Sequence, residues 1–200
     1  MGYKVTILAA VFAAVSFAQS LEEGIEQLHA ARNAEAAATF RSALEQDPAS
    51  GRARYYLIQA LVDDRKTDEA GKVLAEVPDG SKDSGYLELA RAWVEINSRQ
   101  FEDALQSIGK ALDMDAGNPE LPYVRGVLEL TRKNYSAAAA DLERAMEITP
   151  SNANAHYYAG LAYNGLKKPD KMVNQFQTFL KLAPDSPNAA KVRSLLRAVR

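Results

Sequence analysis

Apolar and polar positions follow each other along this chain with the period of amphipathic helices. Between residues 121 and 130 the apolar side chains recur at the spacing of one helix face, and the same spacing returns over residues 138–146. The polar triplet at 132–134 separates the two runs. This pattern predicts two helices joined by a short turn.

The helix pair repeats every 34 residues. Pro150 and Pro184 close helical stretches 34 residues apart, and Pro48 lies three such periods before Pro150. A frame of this length divides the chain into five units without an insertion or a deletion, and the units span residues 17–50, 51–84, 85–118, 119–152 and 153–186. An internal repeat of this length is typical of helical solenoids.

Equivalent positions of the five units carry equivalent side chains. The twenty-fourth position is large and apolar in every unit: Phe40, Leu74, Ile108, Leu142 and Phe176. The eighth position is mostly small: Gly24, Ile58, Ala92, Gly126 and Gly160. We therefore expect the two helices of a unit to approach closely at the eighth position.

This register resembles that of the tetratricopeptide repeat family, and residues 157–163 fit it best. The family's aromatic residue at the fourth position is missing from all five units. The resemblance implies an all-α fold, an α-solenoid of five helix-turn-helix repeats. After the fifth unit, residues 187–200 predict a C-terminal capping helix that covers the exposed core with four apolar side chains. These are Val192, Leu195, Leu196 and Val199.

The first residues have the pattern of an export signal. A short basic start is followed by an apolar stretch over residues 5–17, and Ser16 and Ala18 are small residues at the positions that a signal peptidase reads. The apolar stretch falls short of the ~20 residues that a membrane-spanning helix needs. We expect a signal peptide over residues 1–18, cleaved after Ala18. The repeats would then begin at residue 19 of a periplasmic or secreted protein with no integral membrane segment.

The amino-acid composition excludes several classes of function. Lys and Arg number 24 against 26 Asp and Glu, so the charge gives no general attraction for nucleic acid. The absence of cysteine excludes a thiolate zinc site and a catalytic thiol. His29 and His156 fall in distant units, and paired acids such as Asp63-Asp64 lie at predicted helix ends, where they suit capping. We predict no catalytic, metal or cofactor-binding residues, and no enzyme activity.

Two features of the connections stand out. Basic residues occupy the turn between the two helices of every unit. The favoured interpretation is that they complement the dipole of the first helix. The minor alternative is that they line up along one edge of the solenoid and bind an anionic surface. They are Arg32, Arg65, Lys66, Arg99, Arg132, Lys133, Lys167 and Lys168. Residues 78–85 contain one proline and two glycines, so the second helix of the second unit is expected to end early and leave the softest joint of the array.

The predicted binding surface is a stripe on the first helices. In the family that this sequence resembles, the first helices line the concave side of the solenoid. The stripe consists of Tyr55, Gln59, Tyr86, Leu89, Trp93, Tyr123, Val127, Asn154, Tyr157 and Leu161. It is aromatic and uncharged, which suits an extended peptide or a partner helix. The alternative is that these side chains only pack between units.

One mode of binding is disfavoured. Members of the family that hold a C-terminal carboxylate resemble one another in carrying asparagine at the sixth position, where this chain has Glu22, Tyr56, Ala90, Val124 and Tyr158. Two functions remain. The first is a non-catalytic adaptor in the cell envelope that binds a protein or peptide in its groove. The alternative is a structural subunit that self-associates, or builds a larger complex, through its ends or convex face.

Overall fold

The computed structural model of the chain describes residues 2–198, which form eleven helices and no strand. The predicted all-α fold is therefore confirmed. The helices are α1 (Gly2–His29), α2 (Asn33–Gln46), α3 (Gly51–Asp63), α4 (Thr67–Ala75), α5 (Ser84–Asn97), α6 (Phe101–Met114), α7 (Leu121–Thr131), α8 (Tyr135–Ile148), α9 (Ala153–Gly165), α10 (Pro169–Leu182) and α11 (Ala189–Arg197). Successive pairs from α1–α2 to α9–α10 occupy the five units, and α11 follows them.

The turn between the paired helices is the same in every unit. Its central residue takes a left-handed backbone conformation with φ between 54° and 65°, and these residues are spaced 34 apart: Ala31, Arg65, Arg99, Lys133 and Lys167. The next amide closes the turn by donating to a carbonyl five residues back, as from Lys66 to Leu61 over 2.8 Å. This pattern satisfies carbonyls that the helix end would otherwise leave free. In four of the five units a basic side chain thus occupies a position that usually favours glycine.

Within a unit, the small eighth position packs against the large twenty-fourth position. A Cβ added to Gly24 would lie 2.5 Å from the Phe40 ring, and one added to Gly126 would lie 2.7 Å from Leu142 Cγ. Gly160 meets Phe176 in the same way. The close helix approach that the sequence predicts is present, and it joins the buried side chains of all units into one core.

The N-terminal helix extends beyond this core. Residues 14–16 and 18–19 are exposed, and from Leu21 onward α1 buries its apolar face. Ala18, where cleavage is predicted, therefore lies before the fully buried part of α1, although Phe17 already packs against the core. Cleavage itself stays a prediction. Within the described residues, no helix is both long and apolar enough to cross a membrane.

The second unit departs from the others. Its second helix, α4, has nine residues, whereas α2, α6, α8 and α10 have 14 each. Ala70 alone is fully buried in α4, and an exposed loop over residues 76–83 leads to α5. The loop is tied to the preceding unit where the Lys82 amide donates to the Ala49 carbonyl over 2.8 Å. The early helix end predicted from residues 78–85 is confirmed.

The final helix, α11, covers the fifth unit. Ala189 and Val192 are buried, and Leu195 and Leu196 are half-buried against the core. Val199, the fourth apolar residue predicted for the cap, lies outside the described residues.

Candidate functional site

The stripe predicted as a groove lies on α3, α5, α7 and α9, the first helices of units two to five, but most of it is not exposed. Tyr86 and Leu161 are half-buried, and the other eight side chains are 5% exposed or less. These eight are Tyr55, Gln59, Leu89, Trp93, Tyr123, Val127, Asn154 and Tyr157. The expected open groove is therefore corrected to a closed interior. Whether these residues bind a partner stays a prediction.

The first contact that closes the interior joins the second unit to the fifth. Asp63, the last residue of α3, accepts hydrogen bonds from Asn154 Nδ2 over 3.0 Å and from the Tyr158 hydroxyl over 3.1 Å, both on α9. The first helices of these two units are thus held together across the inside of the solenoid. A helix-end carboxylate that the sequence suggested as a cap is instead a bridge between units.

The second contact joins the second unit to the fourth. Glu120, which directly precedes α7 and is buried, accepts from the Tyr55 hydroxyl over 3.1 Å and from the Tyr56 hydroxyl over 2.9 Å. Both tyrosines lie on α3. The two carboxyl groups therefore tie opposite ends of α3 to helices that follow two and three units later.

Neither carboxyl group has a charged partner in the part of the chain that the structure describes. Burial raises the pKa of Asp63 to about 7, although the hydrogen bonds from Tyr158 and Asn154 act in the opposite direction. Burial likewise raises the pKa of Glu120. Removing a carboxylate from water without a cation favours its neutral form. The interior therefore holds two acids that ionise with difficulty.

Aromatic rings fill the space between these contacts. One group of neighbouring rings consists of Phe40, Tyr56, Tyr55 and Tyr86, and a second consists of Trp93, Tyr123, Tyr158, Tyr157 and Phe179. Centroids of neighbouring rings lie 4.9 to 6.1 Å apart in tilted, stacked or edge-on arrangements. Such pairs stabilise beyond the area they bury. The tyrosines thus serve the packing role that the sequence left as an alternative.

Three polar atoms in this interior form no well-aligned hydrogen bond with the described residues, although the Trp93 indole lies near the Tyr55 hydroxyl. They are Gln59 Oε1, Trp93 Nε1 and the Tyr123 hydroxyl oxygen, and each residue is 1% exposed. A buried polar atom without a partner costs about 1–3 kcal/mol. The interior therefore contains hydrogen-bond donors and acceptors that are available to a ligand.

A cavity of about 310 Å³ opens at one end of the interior, between the C-terminal halves of α3, α5 and α7. Its inner walls are Val62, Trp93, Ile96, Val127 and Tyr158, and the exposed residues Asn97, Arg99 and Thr131 lie at its solvent side. Trp93 both lines the cavity and carries one of these polar atoms, and Tyr158 both lines the cavity and donates a hydrogen bond to Asp63.

Sequence reasoning missed four residues of this interior: Tyr56, Asp63, Glu120 and Tyr158. One signal was available, because Tyr56 and Tyr158 share the sixth position in units two and five. Nothing in the sequence indicated that their hydroxyl groups reach carboxyl groups two and three units away.

Other polar groups are accounted for locally. Three of the turn cations form ion pairs within their own units: Arg32 with Glu35, Lys66 with Asp64, and Arg132 with Glu129. Burial lowers the pKa of His29 to about 4. Within residues 2–198, no group of three His, Cys, Asp or Glu side chains is arranged to hold a metal ion.

Comparison with known proteins identifies the repeat. Two family models, each described as tetratricopeptide repeat, match residues 27–94 and 89–153. No curated protein sequence matches this chain. Among solved structures, YrrB, described as a TPR protein with an unusual peptide-binding site, is 20% identical with a TM-score of 0.51, and the match covers 89% of this chain and 97% of that one.

Two further structures are similar. TTC0263, a thermophilic TPR protein of Thermus thermophilus, is 17% identical with a TM-score of 0.58, over 91% of this chain and 97% of that one. The anaphase-promoting-complex assembly Cut9–Hcn1 contains a chain that is 18% identical with a TM-score of 0.63, over 92% of this chain and 36% of that one. At these identities the likeness concerns the fold.

Proposed function

Because this chain belongs to the tetratricopeptide repeat family, as the models over residues 27–153 show, we propose that it is a non-catalytic adaptor that binds a peptide or protein segment in its interior. The observation that carries the proposal is the set of unpaired polar atoms on Gln59, Trp93 and Tyr123. An extended peptide offers backbone amides and carbonyls that match such atoms. A bound segment would remove a penalty that the free protein carries.

Binding requires the interior to open. The contacts of Asp63 and Glu120 hold it closed, and the joint beside them is the second unit, with its short α4 and its exposed loop over residues 76–83. Segments with few buried side chains are the ones that open at low free-energy cost. A movement at this joint separates α3 from α7 and α9 and exposes the aromatic rings.

Tyr123→Phe tests the proposal directly. It removes an unpaired hydroxyl group, so it should leave the free energy of unfolding unchanged or slightly increased. Binding of a peptide that uses this hydroxyl group should weaken several-fold, since a hydrogen bond contributes about 0.5–1.5 kcal/mol. Tyr135→Phe, on α8, is the matched control.

The experiment uses the chain from residue 19 onward and peptides from a protease digest of envelope extract. Retained peptides are identified by mass spectrometry, resynthesised and titrated, with Trp93 as the single tryptophan reporter. Peptides that leave Trp93 fluorescence unchanged, and bind equally well to both tyrosine variants, would show that the interior is not the site.

The same proposal includes export to the cell envelope, supported by the apolar stretch and by Ser16 and Ala18, which precede the fully buried part of α1. Replacing Ala18 with a bulky charged residue should block cleavage and leave a membrane-retained precursor. The measurement is N-terminal sequencing of the fractionated protein. A mature N-terminus identical to that of the unaltered chain would place the cut elsewhere.

A second candidate function has one observation in its favour. Leu112, Met114 and Ile148, at the ends of α6 and α8, are 43%, 56% and 46% exposed. Leu112 and Ile148 line the same surface cavity of about 280 Å³. Exposed apolar clusters of this kind are common at protein contacts, which favours a structural subunit. Native mass spectrometry of the mature chain and of Leu112→Ser separates the two functions, because a strict monomer rules out self-assembly.

A further inference from the structure

We infer that a cavity between α6, α7 and α8 binds a small aliphatic carboxylate, and this inference does not depend on the peptide-binding function proposed above. The cavity of about 280 Å³ lies where α6 ends and α7 begins, beside the last turns of α8. It shares no lining residue with the cavity beside Trp93. Small-molecule sites usually have volumes of about 300–1,000 Å³, so the ligand of this cavity must be small.

The first argument is a buried amide group that lacks an acceptor. Asn118 lines the cavity and is 3% exposed. Its Oδ1 accepts a hydrogen bond from the Glu120 amide over 3.0 Å, which fixes the orientation of the side-chain amide. The Nδ2 group is therefore a donor, and it forms no hydrogen bond with the described residues. A buried donor without an acceptor is unfavourable, and a ligand that brings an oxygen atom to it removes that penalty.

The second argument is the charge of the lining. Arg125 and Arg144 line the cavity, and no Asp or Glu does. Arg125 is neutralised by Asp141, to which it donates two hydrogen bonds of 2.7 and 2.5 Å. Arg144 is exposed and forms no ion pair within residues 2–198. The parallel N–H donors of a guanidinium group match the two oxygens of a carboxylate.

The acids that are close to the cavity in sequence are engaged elsewhere. Asp115 accepts from the Gly117 amide over 3.1 Å, and the buried carboxyl group of Glu120 accepts from two tyrosine hydroxyl groups of the interior. Neither residue lines the cavity. A cationic ligand would meet hydrogen-bond donors and like charge there, whereas an anion meets complementary groups.

The third argument is the apolar part of the lining. It consists of Ile108, Leu112, Ala116, Leu121, Pro122 and Ile148. Leu112 and Ile148 are 43% and 46% exposed although their side chains are apolar. An inorganic anion would leave these side chains in contact with water, whereas an aliphatic chain covers them. The lining therefore favours a carboxylate that carries an aliphatic group over phosphate or sulfate.

The test titrates the isotope-labelled protein with isocaproate, isocaproamide and acetate. The readouts are the nitrogen–proton NMR signals of the Asn118 side-chain amide and of Arg144 Nε. Isocaproate should shift both signals and bind at least about fivefold more tightly than isocaproamide, which has the same aliphatic chain without the charge. Acetate, which keeps the charge and lacks the chain, should also bind at least about fivefold more weakly than isocaproate.

A fourth ligand, N-acetyl-leucine, distinguishes the two sources of such a carboxylate. It presents the carboxylate as the end of a polypeptide does, beside an aliphatic side chain and an amide. An affinity equal to that of isocaproate or higher assigns the carboxyl end of a polypeptide to the cavity. A lower affinity assigns a free acid, which the small volume favours.

Substitutions of asparagine locate the contact. Asn118→Asp keeps the oxygen that accepts from the Glu120 amide and replaces the unpaired donor with a second carboxylate oxygen, so it should weaken isocaproate at least about tenfold. Asn152→Asp is the matched control. Asn152 occupies the same position one repeat later, its Oδ1 accepts from the Ala155 amide, and it lies outside the cavity. The control should change affinity by no more than about twofold.

Substitutions of cations test the charge. Arg144→Gln should weaken isocaproate about fivefold. Lys110→Gln removes one positive charge from an exposed position of α6 outside the cavity, and should change affinity by no more than about twofold. Because Arg144 is exposed, its substitution keeps the test valid even if Asn118→Asp lowers stability.

Several results would overturn the carboxylate site. They are equal affinity for isocaproate and isocaproamide, equal weakening by the two asparagine variants, and unaltered affinity in Arg144→Gln. The absence of any shift at Asn118 and Arg144 with about 50 mM isocaproate, a concentration that reveals even weak binding, overturns it too. None of these results bears on Tyr123→Phe, which tests the peptide-binding function separately.

Discussion

Trp93→Ala is the substitution that separates a packing role from a binding role. Trp93 is 1% exposed, and its ring centroid lies 5.6 Å from that of Tyr123. Truncating a buried tryptophan to alanine lowers the free energy of unfolding by about 3–5 kcal/mol. The cavity beside Trp93 would be enlarged rather than created, so its walls have little scope to collapse. We therefore expect a loss of about 3 kcal/mol or more.

Trp93→Phe is the matched variant. Phenylalanine keeps much of the ring contact and removes an indole N–H that forms no well-aligned hydrogen bond among the described residues. The cavity that remains is smaller than the one left by alanine, so the packing loss is smaller too. Its stability should lie between that of the alanine variant and that of the unaltered chain.

Urea unfolding followed by far-ultraviolet circular dichroism measures both variants, because neither retains a tryptophan to follow. The slopes of the transitions must agree before midpoints are compared. An alanine variant that loses less than about 1 kcal/mol refutes the packing account. An alanine variant that is less stable but binds peptide with normal affinity while folded would show that Trp93 is not part of the binding site.

Three further predictions follow from single positions. Because the pKa of Asp63 is about 7 in the folded chain and ~3.9 in an unfolded one, the folded state holds this proton more tightly. Stability should fall as pH rises from about 4 to 7, and Asp63→Asn should flatten that fall in a denaturation series. Lys133→Gly, at a φ of 65°, should raise the melting temperature by relieving about 1 kcal/mol of strain, whereas Lys110→Gly on exposed α6 should lower it. Limited proteolysis should cut first within residues 78–85, and a first cut in any other turn would refute the soft joint.

The local architecture was predictable because it depends on neighbours in sequence. Gly24 and Phe40 lie sixteen residues apart in one helix pair, and their sizes already indicate a close approach. The early end of α4 follows from the proline and glycines of residues 78–85, which the structure places in an exposed loop. Such features need only local geometry and the 34-residue register.

The closed interior was not predictable, because it depends on the curvature of the whole array. Each joint between units adds a small rotation, and the short α4 makes one joint unlike the rest. Asp63 meets Asn154 across 91 residues of sequence. A tyrosine on a first helix has the same spacing whether it faces an open groove or a filled one, so Tyr55 and Tyr123 carried no signal that distinguished the two.

The closed interior also lowers the apparent affinity for any ligand that binds inside it. The rings that a peptide would contact also pack against one another in the closed interior, so peptide and internal contacts compete for the same surface. When a binding-competent state is a minor one, apparent affinity falls in proportion to its population. A segment therefore binds only if its own contacts compensate for the hydrogen bonds to Asp63 and Glu120 that are lost when the interior opens. A segment with backbone amides and carbonyls for the unpaired atoms of Gln59 and Tyr123 meets that requirement, whereas an apolar helix replaces ring contacts alone.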